Sequence, residues 1–232
     1  MVTHPAKYTD AFIPIFADLL KGRKVVLDPF AGTGKISLIK NFGFSGKIIC
    51  NEIEKDFADI EKNNFTLFGS LVDEWHIGDA EKMTFLKDCS VDAVCTSPTY
   101  GNRMADHFNA KNGSKYITYT HCIGHKLKDG NTGKMQFGEE YKDKHQRIYK
   151  ELNRVLKIGG LFICNVSNFI KNSEEVDVVG FHKAAIQDTG FLLVEERKIK
   201  TPRMGFGANR EKRVKEESIL VFTKRSNELR NT

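Results

Sequence analysis

The sequence predicts an α/β fold, an open and largely parallel sheet with helices on both faces. Three observations point there. Short apolar runs alternate with helical segments along most of the chain. The first three of these runs end in an acid or meet one within two residues. A pair of glycines follows the first run, where a strand would turn into a helix.

The elements follow in order. Residues 8–20 form an amphipathic segment leading into KVVLD (24–28), a strand that ends in Asp28. Gly32 and Gly34 open a helix-like stretch over 35–42. GKIICNE (46–52) is a second strand, ending in Glu52. A helix is expected over about 54–67, with Phe57, Phe65 and Phe68 at helical spacing. EWHI (74–77) is a weaker strand that runs into Gly78-Asp79-Ala80, and residues 91–96 form the strand before TSPTYGNR (96–103).

From 101 to 138 periodicity is faint and Gly, Asn and Lys are frequent, a stretch too long for an idle connection. A helix follows over 141–156, with Ile148, Leu152, Val155 and Leu156 on one side. Gly159-Gly160 is expected to stop it and feed a strand over 161–166. A helix over 178–188, a stop at Gly190, a strand from Phe191, a Gly/Arg-rich turn over 203–212 and a strand over 218–222 complete the chain. No helix separates the last two strands, so the final one is expected to run antiparallel. Residues 1–232 read as one domain carrying a basic loop at about 101–140.

Hydrophobic residues at 40% and charged residues at 28% describe a globular chain and exclude a disordered one. No run approaches the ~20 apolar residues of a membrane span. The N-terminal MVTHPAKYTD lacks a signal pattern, which places the protein in the cytoplasm and off the membrane. Five cysteines, an odd count without CxxC, read as free buried thiols. The net charge of +6 is unevenly spread: residues 101–150 carry +5 and 197–232 carry +7, while 1–100 and 151–196 each carry −3. Clustered positive charge points to a polyanionic partner, or else to two solvated lysine-rich loops.

Asp28, Glu52, Asp79 and Ser97 lie just past successive strand ends, and in this topology they share the ligand-binding edge of the sheet. The turn Asp28-Pro29-Phe30-Ala31-Gly32-Thr33-Gly34 fails as a phosphate loop, because Pro29 stands at the first glycine position and Ile36 follows Lys35. Ser37 partly fits a dinucleotide fingerprint, but Asp28 suits a pyrophosphate poorly. An acid there favours a cationic ligand end, such as the α-ammonium and sulfonium of S-adenosylmethionine. Glu52, twenty residues after Gly32, is then placed to accept ribose hydroxyls, and Asp79 the adenine amine.

VLDPFAGTGK followed by TSPTY resembles the S-adenosylmethionine-dependent amino-methyltransferases of DNA bases (N6-adenine and N4-cytosine type), whose second motif reads [Asp/Asn/Ser]-Pro-Pro-[Tyr/Phe]. His4-Pro5-Ala6-Lys7 is similar to the family's N-terminal motif, and the turn at 154–160 fits class I methyltransferases generally. Residues matching family motifs run from His4 to Tyr100. The resemblance implies a Rossmann-like, seven-stranded, mostly parallel sheet with an antiparallel last strand. It implies a cofactor site of Asp28, Gly32, Gly34, Glu52 and Asp79, with His4, Lys7, Phe30, Ile53 and Ala80 beside them. It makes the Ser97 side chain and the Pro98 carbonyl the acceptors for the substrate amine, with Tyr100 stacked on the base.

The chain departs from the family in two places. Thr99 replaces the second proline, and no segment is long enough for a large target-recognition domain. Asn102, Arg103, His107, Arg203 and Arg210 are candidates for contact with DNA, the expected partner ahead of RNA. Ring-carbon cytosine methylation is not expected, since no Pro-Cys occurs. Alternatives are methylation of a guanine amine in RNA, protein glutamine methylation, and a non-catalytic nucleic-acid-binding module. His107, His121, Cys122 and His125 lack the tight pairing of a structural zinc site, so no metal is expected.

Overall fold

The computed structural model describes residues 9–64, 71–101, 118–201 and 212–226. Seven strands form one sheet: β1 (Val25–Asp28), β2 (Lys47–Glu52), β3 (Glu74–Ile77), β4 (Val91–Thr96), β5 (Leu156–Val166), β8 (Phe191–Lys200) and β9 (Glu216–Lys224). Their order is β3-β2-β1-β4-β5-β9-β8. Neighbours from β3 through β5 pair in parallel, and β9 runs antiparallel to both β5 and β8. The expected antiparallel last strand is therefore β9, inserted as a hairpin partner between β5 and β8.

Period-two alternation divides the strands between two layers of helix. Leu27, Ile49, Val94 and Phe162 face one side, with Ile148 and Leu152 of α4 (Glu139–Val155) and Ile186 of α5 (Val178–Asp188). Val26, Ile48, Cys95 and Ile163 face the other. There they meet Phe12 and Phe16 of α1 (Phe12–Leu19) and Ile36 and Ile39 of a 3-10 helix (Lys35–Phe42). The central strands β1, β2 and β4 are covered on both faces, which is why they read as continuous apolar runs. Helix α2 (Lys55–Asn64) follows β2, and Phe57 on it packs with Tyr119 of α3 (Tyr119–Ile123) and with Leu127, both in the long connection after β4.

Three expectations need correction. The glycines at 159–160 do not stop a helix. α4 ends at Val155 and β5 starts at Leu156, where the backbone turns extended. The glycines instead absorb a bulge: the β4–β5 register passes from Val91↔Leu156 to Ala93↔Leu161, with Gly159 left-handed at φ 73°. The carbonyls freed at that helix end are taken by the Lys224 ammonium, 2.5 Å from Asn153 O and 2.7 Å from Leu156 O.

A small hairpin, β6 (Phe169–Lys171) and β7 (Glu174–Val176), lies where no element was expected. Its two-residue turn, Asn172 and Ser173, is left-handed at both positions without a glycine to announce it. Cys50, Cys95 and Cys164 are buried as expected, but Cys89 is exposed. Phe65 and Phe68 lie outside the described residues, as does most of the 203–212 turn. Among the described residues no helix is long and apolar enough to cross a membrane.

Candidate active site

Parallel pairing brings four strand ends to one edge. Asp28 is level with Cys50, Glu52 with Ile77, and Leu27 with Val94. Asp28 is buried, and its Oδ1 accepts the Thr96 hydroxyl of β4 at 2.5 Å and the Phe30 N–H at 3.1 Å. Burial pushes its carboxyl up to about 7 against the pull of those two donors. The turn above it is left-handed at Gly32 and Gly34 (φ 54° and 65°). A Cβ on Gly34 would stand 2.8 Å from the Trp75 ring, so that position requires glycine twice over.

Glu52 spans the turn. Its Oε2 accepts the Gly32 N–H at 2.7 Å and its Oε1 the Glu54 N–H at 3.0 Å, while burial raises its carboxyl to about 7. Each carboxylate oxygen keeps a second acceptor position. Past β3, Asp79 is tied more firmly: Oδ2 accepts the Lys144 ammonium at 2.6 Å and Oδ1 the Glu81 N–H at 3.0 Å. Phe30 lies half-buried over His145, rings 5.8 Å apart, Ile53 is half-buried, and Ala80 is buried.

At the end of β4, Pro98 is buried and Ser97, Thr99 and Tyr100 are half-buried. Tyr100 packs one side against the main core and stays partly accessible. The Ser97 hydroxyl has a long approach, 3.5 Å, from the amide nitrogen of Asn165, which also donates to Glu217 at 2.9 Å. Thr99 is held twice, its hydroxyl 2.9 Å from that of Thr132 and its carbonyl accepting the Tyr141 phenol at 2.5 Å.

The described part of the long connection, from Thr118 onward, folds back over the Glu52–Asp79 side. Glu54 is completely buried, and its Oε1 accepts from Lys128 N at 2.7 Å and Asn131 Nδ2 at 2.9 Å. A Cβ on Gly130 would come within 2.8 Å of Asp79 Oδ2. This stretch is thus part of the site's wall, and much of its positive charge is spent internally. Lys134 pairs with Asp129, Lys142 with Glu139, Arg147 with Glu81, and Lys128 donates to Ile53 O.

The fold brings Asp28, Phe30, Gly32, Gly34, Glu52, Ile53, Asp79, Ala80, Ser97, Pro98 and Tyr100 to the one sheet edge. His4, Lys7, Asn102, Arg103, His107, Arg203 and Arg210 lie outside the described residues. Sequence reasoning missed Glu54, Asn131, Thr132, Lys144, Tyr141 and His182. Tyr141, Lys144 and His145 continue the buried face of α4 one turn before Ile148, a signal the 3.6-residue period carries but residue type conceals. His121 is 3.0 Å from the Thr118 hydroxyl and His125 3.1 Å from Asp56, and no group of ligands able to hold a metal occurs among the described residues.

Two buried carboxylates beside a turn without side chains at Gly32 and Gly34 fit a ligand that carries both a cationic end and hydroxyls, as S-adenosylmethionine does. The structure is similar to a SAM-dependent methyltransferase from Methanosarcina mazei, with 13% identity, TM-score 0.58, and 91% of this chain and 97% of that one covered. It is also similar to the PH0226 protein from Pyrococcus horikoshii (18%, 0.57, 92% and 88%) and to TrmN from Thermus thermophilus (15%, 0.51, 91% and 48%). At these identities the likeness is one of fold. Comparison with curated proteins gave no match. A family model described as DNA methylase matches residues 91–232, from the first residue of β4 onward. That match covers more than half of the sequence: the chain belongs to the DNA methylase family and is an S-adenosylmethionine-dependent methyltransferase.

Proposed function

We propose that this protein methylates an exocyclic amino group of a DNA base, cytosine N4 or adenine N6. One observation carries the reading. The Ser97-Pro98-Thr99-Tyr100 segment leaves β4 directly beside the glycine turn, with Thr96 bonded to Asp28 at its root. When bound, the cofactor supplies a methyl group on a positively charged sulfur, open to in-line displacement. Asp28 faces its cationic end, and the motif that holds His4 and Lys7 contacts its methionine end. Glu52 accepts the ribose hydroxyls, Asp79 and Ala80 meet the adenine edge, and Phe30 and Ile53 flank it.

An exocyclic base amine is a poor nucleophile because its lone pair is delocalised into the ring. The Ser97 side-chain oxygen and the Pro98 carbonyl accept its two N–H groups, drawing the nitrogen toward the tetrahedral form that has a free lone pair. Tyr100 offers its accessible side to the base. A base in a duplex must first leave the stack, at a cost of a few kcal/mol that these contacts offset. Asn102, Arg103, His107, Arg203 and Arg210 contact the nucleic acid. Residues 1–232 act as a single methyltransferase domain with a basic loop at about 101–140. The test is transfer of a labelled methyl group to DNA and to RNA, with the product nucleoside identified by mass. Label in a DNA amino position is expected; label only in RNA or protein overturns the reading.

A further inference from the structure

We propose that Thr132 and Tyr141 are positioning residues for the reaction, clamping Thr99 from both sides and so setting the direction of the Ser97 hydroxyl and the Pro98 carbonyl. The consequence for catalysis rests on the proposed function; the clamp itself does not.

A proline after Pro98 would restrict the backbone there through its ring, and Thr99 has no ring. The Thr99 side chain instead meets the Thr132 hydroxyl at 2.9 Å, and its carbonyl accepts the Tyr141 phenol at 2.5 Å. One contact lies on the side chain and the other past the Cα, so the two together fix Thr99 and the Thr99–Tyr100 peptide, and with them the residue that Pro98 leads into.

Both partners are anchored. Tyr141 is fully buried, and its proton goes to Thr99 O. Its oxygen therefore accepts the Nε2–H of His182 at 3.0 Å, which leaves His182 Nδ1 to accept the Tyr149 hydroxyl at 2.5 Å. Only this neutral tautomer satisfies every buried atom in the row, since any reversal leaves a donor or acceptor unpaired away from water. Burial also holds His182 well below the usual imidazole range. On the other side, Thr132 follows Asn131, whose side chain accepts from Gly133 N at 2.8 Å and donates to buried Glu54 at 2.9 Å. The Glu54 N–H in turn donates to Glu52. The clamp thus joins the catalytic segment to the acid at the cofactor edge through a fixed turn.

The test compares Thr132→Val, Thr132→Ser and Thr99→Pro/Thr132→Val in the cofactor-loaded protein. Amide hydrogen exchange at Tyr100 and Gly101 reads the segment without any methyl acceptor. Loss of one such hydrogen bond should speed exchange there roughly three- to tenfold in Thr132→Val. Thr132→Ser should stay within twofold of wild type, and the double variant should return to it, because the ring replaces the lost contact. Cofactor affinity should not move, and kcat should fall while the KM for cofactor holds. Unchanged exchange in Thr132→Val, a uniform rise across the whole protein, or failure of Thr99→Pro to restore protection each overturns the clamp. A wild-type protein that methylates no base amine refutes the proposed substrate, and the exchange series still judges the clamp.

Discussion

Cofactor binding should be strongly acid-sensitive, and the magnitude follows from two buried acids. Asp28 and Glu52 are both raised to about 7, burial being the largest cause in each. A carboxyl that faces a cationic ligand end must be ionised to hold it, so binding must remove the proton. For one group the cost is a factor of roughly 30 at pH 5.5 and roughly 2 at pH 7, giving ~15-fold weaker binding at the lower pH. If both groups must ionise, the ratio becomes a few hundred.

The sign for the protein alone is opposite. These two groups have folded values above their unfolded ones, so their contribution to stability is complete below pH ~4 and is lost as pH rises through about 7. Calorimetry of S-adenosylmethionine at pH 5.5, 6.2 and 7.0, in buffers of different ionisation enthalpy, reads both the affinity and the protons released. Asp28→Asn should bind more weakly at pH 7 and keep only the Glu52 share of the pH dependence. Affinity that is flat across this range in the wild type would refute the reasoning.

Ser97→Ala should keep cofactor affinity within about twofold and lose most turnover, while Tyr100→Phe should stay active and Tyr100→Ala should not. Wild-type turnover in Tyr100→Ala removes the stacking role. Burial lowers His145 to about 4, so its folded form resists protonation that the unfolded chain accepts, and stability is lost as pH falls from ~6.5 toward 4. His145→Phe should abolish about 3 kcal/mol of that acid sensitivity, read as urea midpoints at each pH. Gly34→Ala should destabilise by about 2 kcal/mol or more, from left-handed strain plus a Cβ 2.8 Å from Trp75. Equal urea midpoints for that variant and wild type would contradict the packing described here.

The sheet and most of its strands were legible because both faces are buried, which leaves strands such as KIIC and VDAVC nearly continuous in apolar residues. The acids at the strand ends were legible for the complementary reason: a charge after an apolar run must lie at the sheet edge. Where the reading failed, residue type hid the conformation. Gly159-Gly160 carries the usual signal of a helix stop, yet it serves a bulge, while the helix end is closed by Lys224 from a strand far along the sequence. Asn172-Ser173 makes a left-handed hairpin turn that glycine would have advertised. The supports of Ser97 and Thr99 were invisible for a similar reason. Tyr141 and Thr132 are ordinary core or loop residues until the fold sets them against the Thr99 carbonyl and hydroxyl. Three of the six lysines of 118–150, counted in the basic segment, are consumed in ion pairs that no charge sum reveals.

The most direct test of the central claim is nucleoside mass spectrometry after methyl transfer to DNA and RNA, with wild type and Ser97→Ala run side by side. N4-methylcytosine or N6-methyladenine is expected from DNA with the wild type and almost none with Ser97→Ala. Methylated guanine from RNA, or equal yields from the two proteins, would contradict it.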